Sequence, residues 1–128
     1  MDKEIAFKLA AALESGEYQQ ATLALRNGTG YCCLGVLCDI YAKETGQGSW
    51  ELNMTAAGPS WSFDTKPGFR SAAVLPLPVM EWADVQTDNG SYVQDENGEY
   101  RYALSAMNDN GLSFRDIASV VRDNYQIL

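Results

Sequence analysis

The sequence predicts an α+β domain in which N- and C-terminal helices and a buried cysteine-bearing helix pack on a small antiparallel sheet with a tyrosine-rich hairpin. Three observations carry that reading. Apolar residues recur at helical spacing near both ends, as Ile5, Leu9, Ala12 and Leu13 and again as Ile117, Val120 and Val121. All three cysteines fall in one apolar run, Tyr31-Cys32-Cys33-Leu34-Gly35-Val36-Leu37-Cys38-Asp39-Ile40-Tyr41. Two tyrosine-bearing runs, Ser91 to Gln94 and Glu99 to Ala103, flank Asp95-Glu96-Asn97-Gly98, whose Asn-Gly pair suits a hairpin turn. Helices at both ends around a small antiparallel sheet make an α+β arrangement.

The first helix is predicted over Asp2 to Ser15. Asp2 and Glu4 sit at its positive end, and Gly16 stops it. Leu23, Leu25 and Arg26 then lead into Asn27-Gly28-Thr29-Gly30, a loop whose two glycines suit positive φ. In the cysteine run, Leu34, Leu37, Ile40 and Tyr41 share one helical face with Cys33 beside it, which predicts a buried helix from about Cys33 to Thr45. The competing reading is a fully buried strand from Tyr31 to Leu37, and a strand entering through Tyr31 and Cys32 before the helix also fits. Gly46-Gln47-Gly48 ends the element in every case.

From Gly46 to Gly68 periodicity lapses, yet Trp50, Leu52, Met54, Trp61 and Phe63 are too apolar for a linker. Residues 46–70 therefore read as an ordered, aromatic-containing loop packed on the domain. Ala72 to Leu75 reads as a short strand, and Pro78 opens a short helix with Val79, Met80 and Trp82. The last helix starts at Ser113, an N-cap with Asp116 three residues on. No repeat or low-complexity tract interrupts residues 1–128, which read as a single globular domain.

Composition narrows the function classes. The chain is 46% hydrophobic and 20% charged, which is globular rather than disordered. Met1-Asp2-Lys3-Glu4-Ile5 lacks a basic segment followed by an apolar one, so neither a secretion signal nor a membrane span is expected. The expected compartment is a cytosol, where thiols stay reduced, and an odd cysteine count with two adjacent fits that. Seventeen acidic and nine basic residues give a net charge of −8, which disfavours direct nucleic-acid binding but leaves a small anionic ligand open. Histidine is absent, which removes Ser-His-Asp and Cys-His catalysis and histidine-based zinc sites together.

The residues that could carry chemistry are few. On a helix, Cys33 and Cys38 point roughly 140° apart, and no paired C-x-x-C knuckle exists, so no metal site and no cofactor are expected. A thiolate at Cys32 or Cys33 would gain from a helix N-terminus, but no general base accompanies it. Glu81 and Asp84 could share a helix face, although dispersed acids of this kind are most simply solvated. No catalytic residues are expected. Binding chemistry is better represented: Arg26, Arg70, Arg101 and Arg115 lie in or beside loops, turns or helix starts, with Trp61, Phe69, Tyr92, Tyr100 and Tyr102 nearby in sequence. Arginine forks combined with aromatic stacking suit a nucleotide-sized anion. Asn108 and Asp109 either orient a ligand or cap a turn. The candidate ligand-binding set is thus Arg26, Trp61, Arg70, Arg101, Asn108, Asp109 and Arg115.

An N-terminal helix, Leu25-Arg26, the cysteine block, a central Trp, and Leu75-Pro76 ahead of Val79 and Trp82 follow in order. Met107-Asn108-Asp109, Gly111, Ser113-Phe114 and Ile117-Ala118 close the series. This succession resembles a family of small proteins encoded by tailed bacteriophages and prophages. The likeness spans nearly the whole chain, and the cysteine block is its most specific part. The resemblance carries over no catalytic or binding residue; it implies a setting, the host bacterial cytoplasm, in which small phage proteins often act stoichiometrically on the host and its antiviral defences. The expected function is therefore a non-enzymatic phage accessory protein acting by binding, with a preference for sequestering a small cyclic nucleotide. Two alternatives stand beside it. One is an acidic protein-binding inhibitor or nucleic-acid mimic that covers a basic host protein; the other is an unrecognised carboxylate- or thiol-based enzyme. The apolar middle segment leaves a homo-oligomer open.

Overall fold

A computed structural model describes residues 1–66 and 68–128. It is α+β, as the sequence predicts. Helix α1 (Lys3–Glu14) begins at Asp2, whose carboxylate accepts from the Ile5 N–H at 2.9 Å. Helix α5 (Phe114–Asn124) begins at Ser113, whose Oγ accepts from the Asp116 N–H at 3.2 Å. The buried stripe of α1, Ile5, Ala6, Leu9, Ala10 and Leu13, packs on that of α5, Phe114, Ile117, Ala118 and Val121. A Glu14–Arg122 ion pair joins their surfaces.

Helix α2 (Cys33–Thr45) is the central element, with Cys33 through Cys38 and Tyr41 all buried. This decides between the two sequence readings in favour of a helix. It is entered from a short strand at Gly30–Tyr31 and closed by Gly46 at φ 67°, a left-handed position that glycine takes without strain. Gly35 meets the backbone of Leu25: a Cβ there would run into the Leu25 carbonyl. The Cys32 N–H donates to that same carbonyl at 3.1 Å, so the helix start is fastened to the chain just ahead of Arg26.

Strands β1 (Gln19–Gln20), β2 (Arg26–Asn27) and β3 (Gly30–Tyr31) form a small sheet in the order β1-β3-β2. Within it β1 runs parallel to β3, and β2 runs antiparallel, setting Arg26 opposite Tyr31.

The expectation of a loop over residues 46–70 is corrected. Strands β4 (Gly48–Thr55), β5 (Gly58–Thr65) and β6 (Phe69–Ser71) form an antiparallel sheet in that order. Its register pairs Trp50 with Phe63, Leu52 with Trp61 and Met54 with Pro59, which gathers the large apolar groups on one face. Ser49, Glu51, Asn53, Ser60, Ser62 and Asp64 occupy the other. The period-two alternation was present, but Gly, Ser, Thr and Pro between the aromatics disguised it. The strand expected at Ala72 to Leu75 also lies elsewhere, at Phe69–Ser71, while the Ala72 carbonyl accepts from the Leu25 N–H at 2.8 Å.

Helix α3 (Leu77–Ala83) carries Pro78 in its first turn. The predicted hairpin is β7 (Ser91–Gln94) with β8 (Tyr100–Ala103), Tyr92 opposite Tyr102. A helix the sequence did not announce, α4 (Leu104–Asp109), follows β8 directly.

Candidate functional site

The small β2–β3 sheet and the β4–β5 hairpin meet at Arg26. Its guanidinium carbon lies 3.8 Å from the centroid of the Trp61 ring, 5.1 Å from Tyr31 and 5.6 Å from Trp50. Strand pairing supplies Tyr31 as the opposite residue on β3, and β2 packs on β5, which supplies Trp61. Three aromatic faces around one guanidinium are favourable cation–π geometry. Arg26 Nε is nevertheless buried without a hydrogen-bond partner, and among the described residues no carboxylate pairs with this arginine. Arg26 and Trp61 line a cleft of about 280 Å³, with Asn27 and Gly28 from the turn and Thr55 and Ser60 from the hairpin completing it.

Behind the cleft lies a hydrogen-bonded support. Tyr31 stands edge-on between Tyr18 and Trp50, at centroid distances of 5.2 and 5.6 Å. Asp39 on α2 ties both flanking rings: Oδ2 accepts from the Tyr18 hydroxyl at 2.5 Å, and Oδ1 accepts from Trp50 Nε1 at 3.1 Å. Lys43, one turn on, pairs with Asp39 at 3.0 Å and donates to the Tyr18 hydroxyl at 3.1 Å. Burial pulls the Asp39 pKa upward, but the bonds from Tyr18, Lys43 and Trp50 together outweigh it and hold the carboxyl below its ordinary value. Tyr18 moves the other way, raised by burial and then by its bond to Asp39. Asp39 thus stays ionised and holds the aromatic wall in place.

The remaining sequence candidates are dispersed. Arg70 is on β6 and makes two bonds to Asp64, at 2.9 and 3.1 Å, which occupy its fork. Arg101 lines a separate cleft with Tyr102 and Met107, of about 290 Å³, beside α4. Arg115 lines a third, of about 520 Å³, with Tyr18 and Gln20. Asn108 is wholly interior: Oδ1 accepts from Gln20 Nε2 at 3.1 Å and from the Cys33 N–H at 3.2 Å, and Nδ2 donates to the Ala21 carbonyl at 2.7 Å. Asp109 accepts from the Leu23 N–H at 2.8 Å and so pins Leu23 at φ 68°. Both act within the fold, so the set that meets at one place is Arg26 with Trp61. Tyr18, Tyr31, Asp39, Lys43 and Trp50 were missed as contributors, although an acid inside an apolar run with Lys four residues on was a usable signal.

Cys32, Cys33 and Cys38 are free and buried, and burial raises all three thiol pKa values, those of Cys33 and Cys38 well above normal. Among the described residues no group of three or more Cys, Asp or Glu is placed to hold a metal ion, and no helix is long and apolar enough to cross a membrane.

Residues 1–125, which include every element of the Arg26 cleft, match the model of the family described as Domain of unknown function (DUF8296). The chain belongs to that family. No curated protein and no solved structure matches it.

Proposed function

We propose that this protein acts by stoichiometric binding and that its ligand site is the Arg26–Trp61 cleft. The observation that carries this reading is the unpartnered arginine. A guanidinium held against three aromatic rings, with no carboxylate paired to it among the described residues, is a charge that the fold itself leaves uncompensated. An anionic group such as a phosphate in the cleft supplies the counter-charge that no carboxylate provides, and the cation–π assembly keeps the guanidinium oriented for it. The cleft is near the lower end of small-molecule site volumes, which suits one nucleotide unit or a comparable planar anion. The setting in this proposal is a phage accessory protein that sequesters a small nucleotide signal, cyclic ones foremost, in the host cytoplasm. The resemblance of the ordered sequence blocks to phage and prophage proteins is what suggests that setting.

The test is a thermal-shift panel of cyclic di- and trinucleotides, mononucleotides and ADP-ribose derivatives, followed by titration of any hit through tryptophan fluorescence. A ligand at about a hundred times its Kd adds roughly 2.7 kcal/mol of stability. Arg26→Met should abolish that shift while leaving the unliganded protein within about 1 kcal/mol of wild type, because the orphaned N–H goes with the charge. A panel with no shift, or a hit that survives Arg26→Met, overturns the assignment.

A further inference from the structure

Strand β4 has one edge on β5, and among the described residues no strand pairs with the other. Natural sheets blunt such edges with lysine, proline, a bulge or very short length. The far edge strand of this sheet, β6, is short at three residues. β4 uses none of these devices. It runs eight residues, Gly-Ser-Trp-Glu-Leu-Asn-Met-Thr, with Glu51 as its one charged side chain. Its pairing with β5 is continuous from Gly48 opposite Thr65 to Thr55 opposite Gly58. Leu52 is 52% exposed and Met54 77% exposed, both on the face that carries Trp61. In a chain of net charge −8, close approach of two molecules is easiest where charge is sparse, and this strand is such a place.

We propose that the β4 edge docks a second copy of the chain, the two β4 strands pairing antiparallel about a two-fold axis at Leu52. Keeping both apolar faces on one side requires partners of equal parity, because a one-residue slip turns every side chain over. Centring on Leu52 sets Leu52 against its own copy, Trp50 against Met54, Glu51 against Asn53 and Ser49 against Thr55. Every pair then matches in character, and Ser49 through Thr55 are engaged. Centring on Glu51 would oppose two carboxylates, which destabilises a cross-strand pair. Centring on Asn53 would engage only Glu51 through Thr55. The result is a continuous sheet ordered β6-β5-β4-β4-β5-β6, closed by its own symmetry. Since Trp61 is opposite Leu52, the two Trp61 backbones lie three strand spacings apart, about 14 Å, on one face. The pairing stands independently of what the cleft binds.

Sedimentation velocity from low to high micromolar protein should show mass rising from 14.0 kDa toward twice that value. Leu52→Lys should stay at one chain with an unchanged circular dichroism spectrum. Leu52→Cys, facing itself across the axis, should form a disulfide-linked dimer on mild oxidation, whereas Glu51→Cys, facing Asn53, should not. The native thiols are buried and give a low background. A single-chain mass at every concentration, a Leu52→Lys variant that still dimerises, or cross-linking by Glu51→Cys in place of Leu52→Cys would overturn the proposal.

Discussion

Replacing Asn108 with alanine removes three hydrogen bonds from a position with no solvent access. The most costly is that of the Cys33 N–H. It lies in the first turn of α2, where the helix offers no carbonyl to receive it, so the Asn108 Oδ1 at 3.2 Å is its acceptor. Stranding that buried donor costs about 1–3 kcal/mol. The Ala21 carbonyl, bonded at 2.7 Å and only partly buried, adds less, since water can replace the amide there. The void left by the side chain adds roughly 1 kcal/mol. Together these put the loss at about 3 kcal/mol. For a domain between the small and medium classes each kcal/mol is worth roughly 4 °C, so Tm should fall by about 12 °C. Urea denaturation followed by far-UV circular dichroism and tryptophan fluorescence would check it, with a lower midpoint and an unchanged slope. A loss below about 1 kcal/mol at unchanged slope would refute the reasoning, since no buried donor would then have been stranded.

Three further outcomes follow from the charge and thiol environments. Asp39 has its pKa held below the ordinary value in the fold, so its contribution is fully present above about pH 4 and is withdrawn as pH falls through the lower folded value. Wild type should therefore lose more stability than Asp39→Asn on acidification from about pH 5 to about pH 3, and a pH-independent gap between the two would count against the Tyr18–Asp39–Trp50 support. The three thiols should label with an aromatic disulfide reagent only as the protein opens, at a rate that rises with urea, and rapid labelling of any one in the native state would contradict its burial. Because burial raises their pKa values, stability should also fall as pH climbs past about 8.5, where the unfolded chain ionises its thiols and the folded chain resists.

What was legible in the sequence was what local pattern encodes. The Ser113 cap with Asp116, the apolar face of α2 and the Asn-Gly hairpin each declare themselves within a few residues, and each stands where expected. The β4–β5 hairpin was illegible for a chemical reason: Ala56-Ala57-Gly58 lacks the usual turn pair, and Ser and Gly dilute the alternation of Trp50, Leu52 and Met54. Helix α4 spans only six residues, too few for periodicity to show. Arg26 and Trp61 were recognisable as residue types, but their meeting depends on β2 packing on β5, a long-range contact that no local window contains. Asn108 and Asp109 were picked out for their polarity. Their roles, an interior tie and the anchor of Leu23, depend on partners 75 to 87 positions away in sequence.

Gly35 has a bearing on relatives of this chain. It works as a gauge block: the absence of one methyl group sets how deeply α2 seats on the Leu25 backbone, and the adjacent residue inherits its height above the hairpin from that seating. A homologue with a larger residue at this column must shift the Leu25 backbone, and with it the start of the residue-26 side chain. Positions 35 and 26 can therefore be read as a pair. In this chain Gly35 with Arg26 is the combination that builds the cleft.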